Sequence, residues 1–315
     1  MTDGGPTWVI GGRGLLGSAV VRALELQGRS VQRVTVPWSD PAATAATLNQ
    51  VAARIARDDA PWQVMWCAGA AVIGATDDQL AAEHQSFSGF LDALRHQGGG
   101  SSRGSLFLAS SAGGVHAGSA HPPFTEHTPP VPISAYGHGK IASEQLARRF
   151  AETGGARVVI GRIANLYGPG QDLTKAQGLI SQLCRSHLSR QPLSIYVSLD
   201  TARDYIYSAD AARLAIAALD RGGETAPGTV TVKIVASQQS TTIASILAEL
   251  HHITRRRPHV TLGASPLARF QTKDLRFESV VWPDLDSVVT TGLPVGVFLT
   301  MEGLALTMRA ATRSA

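Results

Sequence analysis

Trp8-Val9-Ile10-Gly11-Gly12-Arg13-Gly14-Leu15-Leu16-Gly17 decides how this 315-residue chain folds. Three apolar residues run into a glycine cluster. The residues that follow carry apolar side chains at Leu16, Ala19/Val20 and Ala23/Leu24, a helical period closed by Gly28. Gly12, Gly14 and Gly17 satisfy GxGxxG, while Gly11, Gly14 and Gly17 satisfy GxxGxxG. Between a strand and a helix, such glycines permit a tight turn and close backbone approach to a pyrophosphate. The helix N-terminus adds free N–H groups and a positive dipole end. With 32 glycines in the chain, a match elsewhere would mean little; the strand before it and the helix after it make this a dinucleotide-binding loop.

Outward from that loop, short apolar runs at 31–36, 64–67, 105–109 and 157–163 alternate with helical patterns at 48–57, 79–95 and about 135–151. Strands alternating with helices of ten or more residues predict an α/β fold, a doubly wound parallel sheet of Rossmann type covered on both faces. A proline-rich loop occupies 122–132. After Gly168-Pro-Gly170 the alternation lapses into helices near 176–188, 208–219 and 242–254 with strands at 193–197 and 230–235. The expected organisation is a dinucleotide-binding domain over 1–170 and a smaller α+β lobe over 171–315, which can be discontinuous.

The composition narrows the function classes. Lys+Arg 28 against Asp+Glu 24 leaves a formal charge of +4, too small to mark a nucleic-acid surface. Hydrophobic residues at 44% and charged residues at 17% belong to a globular chain and exclude extensive disorder. Cys67 and Cys184 lie far apart with no CxxC, so neither a disulfide framework nor a zinc site is expected. No basic segment followed by an apolar one opens the chain, and no apolar run approaches membrane-spanning length. The expectation is a cytoplasmic protein with no membrane or nucleic-acid partner. His116, His121 and His127 share a loop without HxH or HExxH spacing and read as polar loop residues, with no metal. Arg255-Arg256-Arg257 before Pro258 reads as the cationic end of a helix.

Tyr136-Gly-His-Gly-Lys140 opens the helix after the proline loop, and its four-residue spacing puts both side chains on one face. A neighbouring ammonium lowers a phenol's pKa and makes tyrosine usable as an acid/base near neutral pH. Lysine is scarce, at four residues (Lys140, Lys175, Lys233, Lys273), and so is tyrosine, at five. A chance YxxxK would occur in roughly one such chain in fifteen.

With the glycine loop and the Tyr136–Lys140 pair go Cys67-Ala-Gly-Ala70, Leu108-Ala-Ser-Ser-Ala112, Glu126-His-Thr-Pro-Pro-Val-Pro-Ile-Ser-Ala-Tyr136, Arg162-Ile-Ala-Asn-Leu-Tyr-Gly-Pro-Gly170 and Arg203-Asp-Tyr-Ile-Tyr-Ser-Ala-Asp210. In this order the set resembles the extended short-chain dehydrogenase/reductase family, its nucleotide-sugar epimerases, dehydratases and ketoreductases, over nearly the whole chain. The resemblance implies that Tyr136 is the acid/base, that Lys140 lowers its pKa and holds the nicotinamide ribose, and that Ser111 bonds the reacting oxygen. Ser110 competes with Ser111, because Ala-Gly-Gly-Val after Ser111 spaces this loop unlike many relatives. It further implies cofactor contacts from Gly11, Arg13, Gly14, Leu15, Leu16, Gly17, Arg33, Ala68, Tyr136, Lys140 and Ile163, and substrate contacts from Ser111, Asn165 and Arg203. Outside the resemblance, Asn165 reads as a turn hydrogen bond and Arg203 as a surface ion pair. A homodimer through helices at about 78–96 and 136–151 is also implied.

Departures from the family pattern sharpen the expectation. Relatives that prefer NAD end their second strand in Asp; here that position is Thr35, and no carboxylate appears before Asp40. Arg13 and Arg33 can face a 2′-phosphate, so NADP(H) is expected over NAD(H). Ala112-Gly113 cannot supply the acid and base of a 4,6-dehydratase, and no cysteine follows Ser111 for C3/C5 inversion. The expected activity is reduction of a keto group on a nucleoside-diphosphate 4-keto-6-deoxy sugar, with C4 epimerisation as the nearest rival and a non-catalytic dinucleotide sensor as the rival from another class.

Overall fold

The structure is a computed structural model that describes residues 5–57, 60–69, 71, 74–97, 101–175, 177–265 and 272–314. Residues 1–4, on which the absence of a leader was read, lie outside the described residues, as do Ala70 and Ala176. In chain order the elements are β1 (Thr7–Ile10), α1 (Leu15–Leu26), β2 (Val31–Val34), α2 (Pro41–Arg57), β3 (Gln63–Trp66), α3 (Asp77–His96), β4 (Ser105–Ser111) and α4 (Ala112–His116). Then come α5 (Ala135–Gly154), β5 (Arg157–Ile163), β6 (Asn165–Tyr167), α6 (Leu179–Ser189), β7 (Leu193–Ile195), β8 (Ala202–Tyr207), α7 (Ser208–Gly223) and β9 (Val230–Val235). The chain closes with β10 (Ser240–Thr242), α8 (Ile243–Thr254), β11 (Val260–Leu262), β12 (Asp274–Leu275) and α9 (Leu293–Ser314).

Six parallel strands form the main sheet in the order β2-β1-β3-β4-β5-β9. The period of two along β1 builds a core on each face. Val9 enters the cluster under α1 and α7, whereas Trp8 and Ile10 enter the cluster under α2, α3 and α5. The expected doubly wound α/β fold is therefore present. β2 ends the strand order and is an edge. After β2 the chain crosses to the other side of β1, and the ends of β1 and β3 diverge there into the crevice where such sheets bind ligands.

A cut at residue 170 does not divide the packing. α7 and β9, placed in the second lobe by sequence, belong to the main sheet: β9 pairs with β5 from Val158↔Val230 to Ile163↔Val235. Alanine at 211, 212, 215 and 218 lets α7 lie close on the sheet within the first core. The lobe is thus discontinuous. It contains β6, β8, β10 and β12, the β7–β11 ladder, and α6, α8 and α9 around a third core of Tyr167, Ile180, Leu183, Cys184, Ile246, Leu250, Val297 and Leu304.

α9 corrects a second expectation. The sequence has no unbroken apolar run, but Leu293–Ala310 as a helix is long and apolar enough, by length and composition, to cross a membrane, with a mean hydropathy of 1.2. Glu302 and Arg309 break the run in sequence, yet two charges leave the 18-residue window apolar on average. Two glycines fit the helix to the lobe. A Cβ at Gly296 would lie 2.1 Å from the Tyr167 hydroxyl, and one at Gly303 would lie 2.6 Å from Pro169.

Candidate active site

The glycine loop closes on itself at the crevice. Gly14 N–H donates to the Gly11 carbonyl (3.0 Å), and Ser18 N–H to that of Gly14 (2.8 Å). Gly11 has φ 85°, and a Cβ there would stand 2.6 Å from Ala68 N at the end of β3. A Cβ on Gly17 would stand 2.2 Å from the Gly11 carbonyl oxygen. Both positions therefore require glycine. α1 starts from Gly14 with no side-chain cap and no acidic residue in its first turn, so its N–H groups face the crevice unspent. These features fit a dinucleotide pyrophosphate.

Among the other loop residues, Arg13 and Gly14 are exposed and Leu15 is half-buried. Leu16 is buried in the first core, so only its backbone serves the crevice. Ala68 is half-buried against Gly11. Beside it, burial pushes the Cys67 thiol up to about 12, which keeps it protonated. Arg33 is exposed on β2, and its Cγ lies 3.0 Å from where a Gly12 Cβ would be. A cavity of about 190 Å³ beyond it is lined by Arg33, Thr35, Thr47, Gln50 and Arg54, among others.

Ser111, Tyr136 and Lys140 come together. Ser111 ends β4 and caps α4, accepting from Gly114 N–H (3.1 Å); Ser134 caps α5, accepting from Gly137 N–H (3.2 Å). The two short-range caps aim both helices at one point. Beside Gly114, the position a Cβ would take is 2.9 Å from Tyr136 Cε1 and 3.2 Å from Ser111 Oγ. Gly137 in turn would place a Cβ 2.3 Å from the Gly114 carbonyl oxygen, so α4 and α5 cross where neither has a side chain. One turn on, Lys140 Nζ lies 5.6 Å from the Tyr136 ring centroid, donates to the Ala109 carbonyl (3.4 Å), and reaches the chain beside Gly69. Ile163 ends β5 next to Ser111 and is buried.

Ser110 points the other way. It is buried and donates to Glu144 Oε1 (2.7 Å), and Arg162 holds the same carboxylate through Nε (3.1 Å) and Nη2 (2.8 Å). Arg162 Nη1 also donates to His116 Nε2 (3.2 Å), which leaves the imidazole proton on Nδ1 toward Ser119 Oγ (3.3 Å). Ser119 donates onward to the Pro129 carbonyl (2.9 Å). This chain of bonds joins β4, α4, α5 and β5, the elements that carry Ser111, Tyr136 and Lys140. His116 corrects the polar-loop expectation: it is fully buried and stacks on Phe124 at 5.5 Å. Burial first, then Arg162, lower its pKa to about 4. His121 and His127 are exposed as expected, and among the described residues no group of three or more His, Cys, Asp or Glu could hold a metal.

On the lobe side, Asn165 is exposed and its Nδ2 donates to the Asp204 carbonyl (2.9 Å). Arg203 is not a surface ion pair. It is 6% exposed, and Nη1 donates to the carbonyls of Ala202 (2.8 Å) and Lys273 (3.3 Å). Asp204, next to it, was not foreseen; burial raises its pKa to about 6 although Ser237 N–H and Oγ donate to it. Glu144, Gly114 and Glu83 were missed as well. For Glu144 the signal existed, since it lies four residues beyond Lys140 on the helical face of Tyr136.

A family model described as NAD dependent epimerase/dehydratase family matches residues 7–232. The dTDP-4-dehydro-6-deoxyglucose reductase of Escherichia coli is 31% identical over 118 residues, 38% of this chain and 37% of that protein. The match thus spans little more than a third of this curated relative. Among solved structures, the UDP-glucose 4-epimerase of Thermotoga maritima with UDP-glucose shares the fold at TM-score 0.77 and 20% identity, covering 96% of this chain and 100% of that one. The Thermus thermophilus UDP-glucose 4-epimerase in complex with NAD does so at TM-score 0.75 and 20% identity, covering 95% and 98%.

The buried imidazole gives the fold an acid limit. With a folded pKa of about 4 against an ordinary 6.5, His116 contributes stability that is fully present above pH 6.5 and is lost as pH falls toward 4, on the order of 3 kcal/mol. Urea unfolding of His116→Gln should therefore depend less steeply on pH between 7 and 4 than that of the parent chain; parallel pH profiles would contradict this.

Proposed function

The chain belongs to the NAD dependent epimerase/dehydratase family, and from that premise we propose that it reduces a keto group on a nucleoside-diphosphate sugar, a 4-keto-6-deoxy sugar, with NAD(P)H. One observation carries this proposal: Ser111 Oγ and the Tyr136 ring meet beside Gly114, with Lys140 one turn away at the ends of β3 and β4. The glycine loop would hold the pyrophosphate of the dinucleotide, whose nicotinamide would supply the hydride. The protein's share is proton chemistry and orientation. Tyr136 gives its phenolic proton to the oxygen that becomes the new hydroxyl, and Ser111 Oγ donates a hydrogen bond to that oxygen. Lys140 favours the phenolate left behind and holds the ribose hydroxyls. Asn165 and Arg203, in the β6–β8 layer, face the nucleotide diphosphate of the substrate, for which guanidinium is suited.

The loop after Ser111 supports simple reduction. Ala112, Gly113 and Gly114 bring no acid or base to the reacting carbon, so dehydration has no second catalyst there. Similarity to the Escherichia coli reductase points the same way. C4 epimerisation remains the second proposal, because the same Tyr136, Lys140 and Ser111 would serve oxidation and re-reduction. For the cofactor, exposed Arg33 beside Gly12, Thr35 in place of a carboxylate, and Arg54 across the same cavity support NADP(H) over NAD(H). A homodimer through α3 and α5, which lie side by side in the chain, belongs to the same proposal.

Incubation with a dTDP-4-keto-6-deoxy sugar and NADPH should consume the reduced cofactor. Tyr136→Phe should reduce turnover by at least a hundredfold while leaving cofactor affinity near that of the parent. Redox-neutral interconversion of UDP-glucose and UDP-galactose without cofactor consumption would favour the epimerase instead. In equilibrium titration NADPH should bind more tightly than NADH, and the reverse order would remove the NADP(H) preference.

A further inference from the structure

Glu83, on α3, faces the Tyr136–Lys140 pair and has no part in the chemistry proposed above. Its Oε1 accepts Ala71 N–H (2.6 Å), and its Oε2 lies 3.8 Å from the position a Gly69 Cβ would take, a point 3.2 Å from Lys140 Nζ. The backbone after β3 is therefore flanked by a carboxylate and an ammonium where it borders the crevice. Between α3 and α5 a cavity of about 10 Å³, room for one water, is lined by Glu83, His84, Tyr136 and Lys140 among others.

The other titratable groups around Lys140 are committed elsewhere. Glu144, on the next turn of α5, is held by Arg162 and Ser110. Cys67 stays a thiol, and His116 is neutral beside Arg162. From α3, His84 is the only other titratable side chain that lines the cavity among the described residues. Glu83 is thus the carboxylate that balances Lys140 in this part of the crevice.

We infer that Glu83 sets the preference of the site between oxidised and reduced dinucleotide, by countering the Lys140 charge and by holding Ala71. This rests on the dinucleotide reading given above. An oxidised nicotinamide ring carries a positive charge and a reduced ring does not. A lone fixed ammonium beside the ring disfavours the oxidised form, and a carboxylate next to that ammonium cancels the penalty. Glu83→Gln keeps the length and an acceptor for Ala71 N–H but removes the charge; Glu83→Asp keeps the charge at shorter reach.

Dissociation constants of the oxidised and reduced cofactors, NAD and NADP forms both, are to be measured calorimetrically for the parent chain and the two variants. Glu83→Gln should weaken the oxidised form relative to the reduced one by about fivefold, the effect of one charge lost from a partly screened cleft. Glu83→Asp should keep the parent ratio. If Glu83→Gln weakens both forms equally, or changes neither, Glu83 is at most an anchor for the loop and the inference fails while the dinucleotide reading stands. If the parent chain binds none of the four, the dinucleotide reading fails and the inference falls with it.

Discussion

The buried carboxylate of Glu144 is the constraint on which the geometry of the candidate site depends. Arg162 holds it through two nitrogens and Ser110 through a third bond, so a helix, two strands and, through His116, a second helix are fixed to one point. Both side chains are almost fully buried, Glu144 at 3% and Arg162 at 4%. Leaving either charge unpaired would cost several kcal/mol, roughly 3–5. Net stability is a lesser part of what such a pair provides. Its geometric demand is the larger part, because the carboxylate on α5 must face β4 and β5 for any of the bonds to form. Tyr136 and Lys140 lie two turns and one turn earlier on the same helix, and their aim is set by that demand.

A second buried network ties the segment before α9 to the sheet. Glu126 accepts Ile234 N–H from β9 and Val280 N–H, each at 2.9 Å, and Ser279 Oγ besides. Lys233, fully buried on β9, donates to Ser279 Oγ and the Val281 carbonyl and pairs with Asp286 at 2.7 Å. The four lysines thus include one at the candidate site, one in this buried pair, and one, Lys273, in a surface pair with Asp200. The first network orients α5 against β4 and β5, and the second ties the 279–286 segment to β9.

Much of this was legible in the sequence because it follows from short-range rules. The glycine loop, the alternation of strands and helices and the Tyr136–Lys140 spacing each depend on residues within a few positions of one another. The choice between Ser110 and Ser111 did not, since adjacent residues of a strand face opposite sides and only the partners decide which side is the site. Ser110 meets a glutamate 34 residues away. His116 was misread for the same reason: a histidine near prolines and glycines resembles a loop residue until Arg162 and Phe124 close over it. β9 and α7 were assigned to the wrong side of residue 170 because a strand's sheet is chosen by its pairing, and Val230–Val235 carries no mark of that choice. In α9 the search for an unbroken run missed the point, because Glu302 and Arg309 interrupt a stretch that is apolar on average.

The account rests on hydride transfer at the point where Ser111 and Tyr136 meet. Isotope tracing tests it most directly. A nucleoside-diphosphate 4-keto-6-deoxy sugar is incubated with the protein and a reduced cofactor carrying deuterium at nicotinamide C4, and the product sugar is examined by mass spectrometry. The account predicts one deuterium on the carbon that bore the keto group, and its loss with Tyr136→Phe. A reduced sugar without deuterium, or labelled product formed equally well without the Tyr136 hydroxyl, would contradict it.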